Sequence, residues 1–225
     1  MKNMVLLLSG KKGKLLCESL QNSSYFLNNY NLIFIVNYSD KKLQSFLTKE
    51  KLSFFIKTKK EKQKDLFDKI SFQYEVDYII SCGWGYKIPL SVIKFAKVAA
   101  LNCHSSFLPD YKGQGVYKIQ WANTERHGGA TVHFLSENFD EGDIISQEKF
   151  MIKYFDSYSD ILYKACLITP ILLRESILLI DKGYKGISQE KGRYFSKQNK
   201  HTIVLHRIVN IIFTILRIKY KWRIN

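Results

Sequence analysis

Short apolar runs separated by charged stretches of helical period recur along this sequence, and that alternation narrows its possible folds more than any other feature. Met4-Val-Leu-Leu-Leu-Ser-Gly reads as a first strand ending in small residues, followed by a helical pattern from Leu15 to Leu27. Leu32 to Asn37 and Phe54 to Lys57 read as strands, with Asp40 to Lys49 and Glu61 to Phe72 as charged helices. Asp77 to Ser81 and Ala99 to Cys103 are further strand-like runs, separated by a helix that Pro89 starts near Leu90. Ala130 to Leu135 alternates as another strand, and Ile144 to Ile152 suggests a last strand pair. Such alternation predicts an α/β fold whose mostly parallel sheet carries helices on both faces.

The longest helical stretch, Ser157 to Lys182, is apolar at Ile161, Leu162, Ala165, Ile168, Leu172 and Leu179, and Pro170 is expected to kink it. The 225 residues suffice for one substantial core with a small appendage. Residues 1–182 are therefore expected to form the main domain and 183–225 a C-terminal helical or strand extension. Ile203 to Ile218 is rich in isoleucine and leucine and is followed by Lys219, Lys221 and Arg223. Arg207 and Arg217 interrupt it too much for a membrane span. It reads as an amphipathic helix that packs on the body or on a second subunit, as in a homodimer, with an interfacial membrane contact as the alternative.

Composition removes several classes. Hydrophobic residues make up 46% and aromatic residues 14%, which excludes a disordered chain because enough apolar surface is present to offset chain entropy. Cys17, Cys82, Cys103 and Cys166 form no C-x-x-C pair, so neither a disulfide scaffold nor a metal site is expected. The first apolar run is interrupted by Lys11, Lys12 and Lys14 and is too short for a signal-peptide core. A cytoplasmic location is the expectation. The net charge of +15 attracts anions, or reflects lysine-rich solvated helix faces such as those around residues 41–69. No recognition-helix, zinc or ribonucleoprotein motif accompanies it, so nucleic acid is not an expected partner.

In parallel sheets ligands bind beyond the carboxyl ends of strands, here after Leu8, Ser81 and Cys103. The last of these segments is Asn102-Cys-His104-Ser-Ser106-Phe-Leu108-Pro109-Asp-Tyr111-Lys-Gly113, with Asp140-Glu-Gly-Asp143 one strand-turn-strand unit downstream. Alone, His104 reads as a satisfied loop histidine and Asp140 as part of a surface turn. An amide, an imidazole and a carboxylate in this order after a strand have little packing purpose.

This arrangement resembles the formyltransferase family that uses 10-formyltetrahydrofolate, in which Asn-x-His-x-Ser-x-Leu-Pro-x-x-x-Gly and a later Asp form the active centre. The resemblance covers about three quarters of the chain and implies a Rossmann-like catalytic domain. It makes Asn102, His104 and Asp140 catalytic, with Asp143 as the rival carboxylate. An amine attacking a formyl carbon puts negative charge on oxygen and positive charge on nitrogen. Asn102 and His104 would donate to the oxyanion, and Asp140 would orient His104 and relay the amine proton through water. His133 matches a family histidine and reads as a packed or supporting residue. Strand pleating turns Cys103 to the opposite face.

Cys82-Gly-Trp-Gly-Tyr-Lys-Ile-Pro89 is similar to the family's pterin-recognising loop, which places Gly85, Tyr86 and Ile88 on one side of the folate and Asn138, Phe139 and Asp140 on the other. Trp84 reads equally well as core. Ser9-Gly-Lys-Lys-Gly-Lys14 opens the first helix, where free N–H groups and lysines favour a phosphate. Gly10, Lys11 and Lys12, with Gly113 and Gln114, are the candidate acceptor-binding residues. Gln189-Glu-Lys-Gly192-Arg-Tyr194-Phe195-Ser-Lys197 resembles a segment of the tRNA and sugar branches that the glycinamide-ribonucleotide branch lacks. The tRNA enzyme adds a C-terminal barrel, for which too few residues follow Phe195. The resemblance thus favours a nucleotide-linked amino sugar, such as dTDP-4-amino-4,6-dideoxyglucose, as acceptor, with polysaccharide biosynthesis as its setting. Glycinamide-ribonucleotide formylation and hydrolysis of formyltetrahydrofolate are the alternatives.

Overall fold

A computed structural model describes residues 1–216; Arg217, Lys219, Lys221 and Arg223 of the basic tail lie outside the described residues. The elements run β1 (Lys2–Leu8), α1 (Gly10–Gln21), α2 (Ser24–Asn29), β2 (Tyr30–Asn37), α3 (Lys41–Lys49), β3 (Phe54–Lys57), α4 (Gln63–Gln73), β4 (Tyr78–Cys82) and α5 (Leu90–Ile93). They continue with β5 (Ala99–His104), β6 (Lys112–Gly113), α6 (Val116–Ala122), β7 (His127–Phe134), β8 (Ile144–Met151), α7 (Tyr158–Asp181), β9 (Tyr194–Phe195) and α8 (Lys200–Ile215).

Seven strands form one sheet in the order β3-β2-β1-β4-β5-β7-β8. The β3, β2, β1, β4 and β5 strands are parallel, whereas β7 pairs antiparallel with both β5 and β8. The expected mostly parallel sheet with helices on both faces is therefore present, and the strand period of two explains its two cores. Leu6, Leu8 and Val36 point to one face, where Leu16 and Leu20 of α1, Leu43 of α3 and Leu172 of α7 cover them. Val5, Leu7 and Ile35 point to the other, under Leu66 and Phe67 of α4 and Val92 of α5. Each such side chain, fully buried, contributes about 2 kcal/mol from apolar surface removed from water.

Local details depart from the sequence pattern where side chains compete with the helical period. The pattern from Leu15 to Leu27 is two helices: α1 ends at Asn22, whose amide donates back to the Glu18 carbonyl (2.9 Å), and extended Ser23 opens α2. Asp40 is the cap of α3, accepting from the Leu43 N–H at 3.2 Å. Ser157 and Asp160 form a reciprocal capping box that starts α7, which then runs unbroken through Pro170. The α6 helix and the two-residue strands β6 and β9 carry too little sequence for any period to show.

The residues after α7 return to the body at three places. Ile187 pairs with Ile144, β9 pairs parallel with β6, and α8 packs on α6. Among the described residues no helix is long and apolar enough to cross a membrane.

Candidate active site

The carboxyl end of β5 presents Asn102 and His104 on one face, while Leu101 and Cys103 point into the core beneath α7. That alternation turns Cys103 away from the chemistry. Antiparallel pairing sets His133 of β7 opposite Asn102, and the β7–β8 loop brings Asp140 across both. Asp140 has φ +55°, a left-handed backbone that is costly for a side-chain-bearing residue and is kept where surrounding bonds over-determine it.

Those bonds converge on its carboxylate. Asn102 Nδ2 donates to Oδ1 at 3.0 Å and the Gly113 N–H to Oδ2 at 2.8 Å. His104 Nδ1 and His133 Nε2 stand 3.4 and 3.5 Å from Oδ1. Burial alone would raise the Asp140 carboxyl, but the charge of the two imidazoles in their protonated forms, together with the Gly113 N–H, outweighs it and holds Asp140 far below the usual carboxylate range. Asp140 is thus a charged group in a nearly dry site.

The tautomers follow from the carbonyls around the rings. His104 Nε2 lies 2.8 Å from the Tyr111 carbonyl and His133 Nδ1 lies 2.8 Å from that of Phe134, so each of these nitrogens donates. In the neutral rings, His133 Nε2 then accepts from Asn102 Nδ2 at 3.1 Å, and His104 Nδ1 keeps a lone pair beside Asp140. Both amide protons of Asn102 are engaged. Burial pushes His104 below its ordinary value near 6.5 more strongly than Asp140 raises it, and Lys12 adds to the lowering. His104 is therefore a neutral base whose protonated form has a carboxylate waiting 3.4 Å away.

These groups open onto a cleft of about 300 Å³ lined by Lys12 of α1 and by residues from the ends of β4, β5 and β7. Gly85, Tyr86 and Ile88 line one wall and Asn138 and Phe139 another. Trp84 is buried, and its indole N–H donates to Gln63 at 3.1 Å, fixing the loop that carries Gly85 and Tyr86. Gly113 and Gln114 line the cleft, as does Lys12, whose Nζ is 3.3 Å from Ser105 Oγ. Gly10 and Lys11 are exposed and outside this lining. The anion-favouring N-terminus of α1 already holds a protein carboxylate, because the Gly10 N–H and the Ser9 hydroxyl both donate to Asp40 Oδ2, at 2.6 and 3.2 Å. Asp143 points no bond into the catalytic cluster among the described contacts.

Two supporting features carry no legible signal of their role. Gln189 Nε2 donates to the carbonyls of Asp140 (3.0 Å) and Gly142 (2.6 Å), tying the segment after α7 to the strained loop. Phe195 of β9 stacks on Tyr111 with ring centroids 5.0 Å apart, which buttresses the carbonyl that His104 uses. Gly113 has φ +105°, and a side chain there would run into the Phe195 carbonyl. The Gln189→Ala variant should lower kcat about tenfold with the donor KM little changed, measured by steady-state kinetics, because two neutral bonds to a positioning loop are lost. An unchanged kcat would remove Gln189 from the site.

Comparison with known proteins decides the family. The profile of the Formyl transferase family matches residues 19–167, which is most of the chain. The chain belongs to the formyl transferase family. Among curated relatives, GDP-perosamine N-formyltransferase of Brucella melitensis biotype 1 is 30% identical over 135 residues, covering 59% of this chain and 51% of that protein. Methionyl-tRNA formyltransferase of Borrelia hermsii is 33% identical over 147 residues, covering 64% and 46%. The chain thus spans about half the length of the curated relatives it matches.

Solved structures show the same fold. Glycinamide ribonucleotide transformylase 1 of Symbiobacterium toebii superposes with a TM-score of 0.71 at 17% identity, covering 85% of this chain and 95% of that one. An N-formyltransferase of Helicobacter canadensis, in complex with folinic acid and dTDP-3-aminofucose, gives 0.65 at 18% identity, with coverage of 88% and 72%.

Proposed function

We propose that this formyl transferase moves a formyl group from 10-formyltetrahydrofolate to the amine of a nucleotide-linked amino sugar. The observation that carries the reading is the convergence of ionised Asp140, neutral His104 and the Asn102 amide at the mouth of one cleft. The cleft suits both anionic substrates, since Lys12, Lys87, Lys118 and Lys197 line it against Glu137 and Asp140. Its wall of Trp84, Ile88 and Leu135 beside loop backbone at 83–88 fits a flat heterocycle that needs apolar faces and amide partners at its edge.

When bound, the folate would supply the formyl carbonyl and, as leaving group, its N10 nitrogen, which takes the proton back from His104 as the C–N10 bond breaks. His104 Nδ1 accepts the proton that the attacking amine must lose, and the resulting imidazolium is neutralised by Asp140. Asn102 reaches the developing oxyanion by releasing its bond to His133 Nε2 while keeping the charge-assisted bond to Asp140. Gly113 holds the second carboxylate oxygen, so the carboxylate stays aimed throughout. An amino-sugar acceptor is supported by the Brucella relative's name and by the dTDP-sugar in the Helicobacter structure.

Acceptor choice is tested by presenting 10-formyltetrahydrofolate with dTDP-4-amino-4,6-dideoxyglucose, GDP-perosamine, glycinamide ribonucleotide or methionyl-tRNA in separate assays. Tetrahydrofolate release matched by a formylated sugar in mass spectra is the expected result. Preferred formylation of the ribonucleotide or the tRNA would overturn the acceptor, and acceptor-independent formate release would turn the reading to a hydrolase.

A further inference from the structure

We propose that the outward face of α8 docks this protein on an anionic lipid bilayer surface. The helix is inside out. Its buried face carries one apolar residue, Ile203, beside His206, Arg207 and Asn210. Arg207 donates to the carbonyls of Trp121 (2.9 Å) and Tyr154 (3.1 Å), and Asn210 to that of Ala122 (2.9 Å), so the body takes up polar groups around the end of α6. The opposite face is Val204, Leu205, Ile208, Ile212, Ile215 and Leu216, exposed by 36 to 69%. At about 100° per residue these six fall on a single stripe. From 201 to 216 the other exposed residues are His201 and Thr214, with no Lys, Arg, Asp or Glu among them. A stripe of this kind on a helix already anchored by its polar side needs an apolar partner.

Charge selects the partner. Past the stripe, residues 217–225 hold four Lys and Arg residues and no Asp or Glu. Pairing this face with a second copy would bring like charges together, whereas anionic headgroups neutralise them. The sequence continues past the stripe with Arg217, Lys219, Tyr220, Lys221, Trp222 and Arg223, cations interleaved with the two aromatic types that settle at the headgroup level. The described part of α8 is 16 residues with a polar rear face, so it would lie along the surface and not across the bilayer.

The test is co-sedimentation of the full chain with vesicles of equal parts phosphatidylglycerol and phosphatidylcholine, against vesicles of phosphatidylcholine alone. Binding to the mixed vesicles at least about tenfold stronger is expected, weakened by added salt. A variant carrying Leu205→Ser, Ile208→Ser and Ile212→Ser should keep its thermal melt, because these side chains are exposed, and should lose binding. Lys219→Gln with Lys221→Gln should weaken binding without abolishing the apolar contribution. No binding by the wild-type chain, or full binding by the triple serine variant, overturns the proposal. So does a dimer in light scattering that the triple variant disperses while vesicles remain unbound, which would assign the stripe to a second copy.

Discussion

Asp140→Asn should lower the rate of formyl transfer about a thousandfold while the protein still folds. The side chain keeps its volume, but one carboxylate oxygen becomes an NH₂. That donor would face either Asn102 Nδ2 or the Gly113 N–H, each of which donates to Asp140 at 3.0 or 2.8 Å. One contact becomes donor against donor, and the charge that stabilises protonated His104 is lost. Single-turnover measurement of tetrahydrofolate release reads the chemical step directly, and a loss below about tenfold would end the assignment of Asp140.

The same substitution carries a signature in stability. Because the folded state holds the Asp140 carboxyl below its ordinary value of 3.8, the ionised form stabilises the fold fully above that value. The contribution drains away as pH falls through the lower, folded value. The gap in melting temperature between wild type and Asp140→Asn should therefore be largest near neutrality and should narrow as the buffer is taken below about pH 4. A gap that widened on acidification would contradict a depressed Asp140.

His104→Ala should cost a comparable factor, about a thousandfold, since it removes the proton acceptor. Added imidazole should restore part of the activity if the role is that of a base. The wild-type pH profile adds a second check. Neutral His104 is the active form and burial lowers its titration below 6.5, so kcat at saturating acceptor should stay flat as pH falls through 6.5 and decline only beneath it. An acid limb centred above 6.5 would show that the titrating base is another group. Combining His104→Ala with Asp140→Asn should lose little more than either alone, because the two act as one proton-handling unit.

The strands of the sheet were legible because their side chains are buried on one or both faces and must be apolar, as at Val5 to Leu8 and Ile33 to Val36. The split between α1 and α2 was not, since Asn22 and Ser23 end one helix and start another without breaking the apolar pattern. At the site, the order Asn102, His104, Gly113 and Asp140 was visible as residue types following a strand. Gly10 and Lys11 stand at a helix N-terminus, a local pattern that favours an anion. The carboxylate that occupies that N-terminus, Asp40, arrives from another loop about thirty residues away.

By itself the sequence determined the alternating fold, the reaction-bearing residue types and the excess of positive charge, because each is a property of composition or of short-range spacing. Only the tertiary structure decided which nitrogen of His104 carries a proton, since that depends on the Tyr111 carbonyl, and how Asp140 stays charged while buried. It likewise decided that Gln189 steadies the catalytic loop from beyond α7 and that α8 turns its polar side inward. Hydrogen bonding and burial are settled by groups distant in the chain meeting in space, and no local pattern records those meetings.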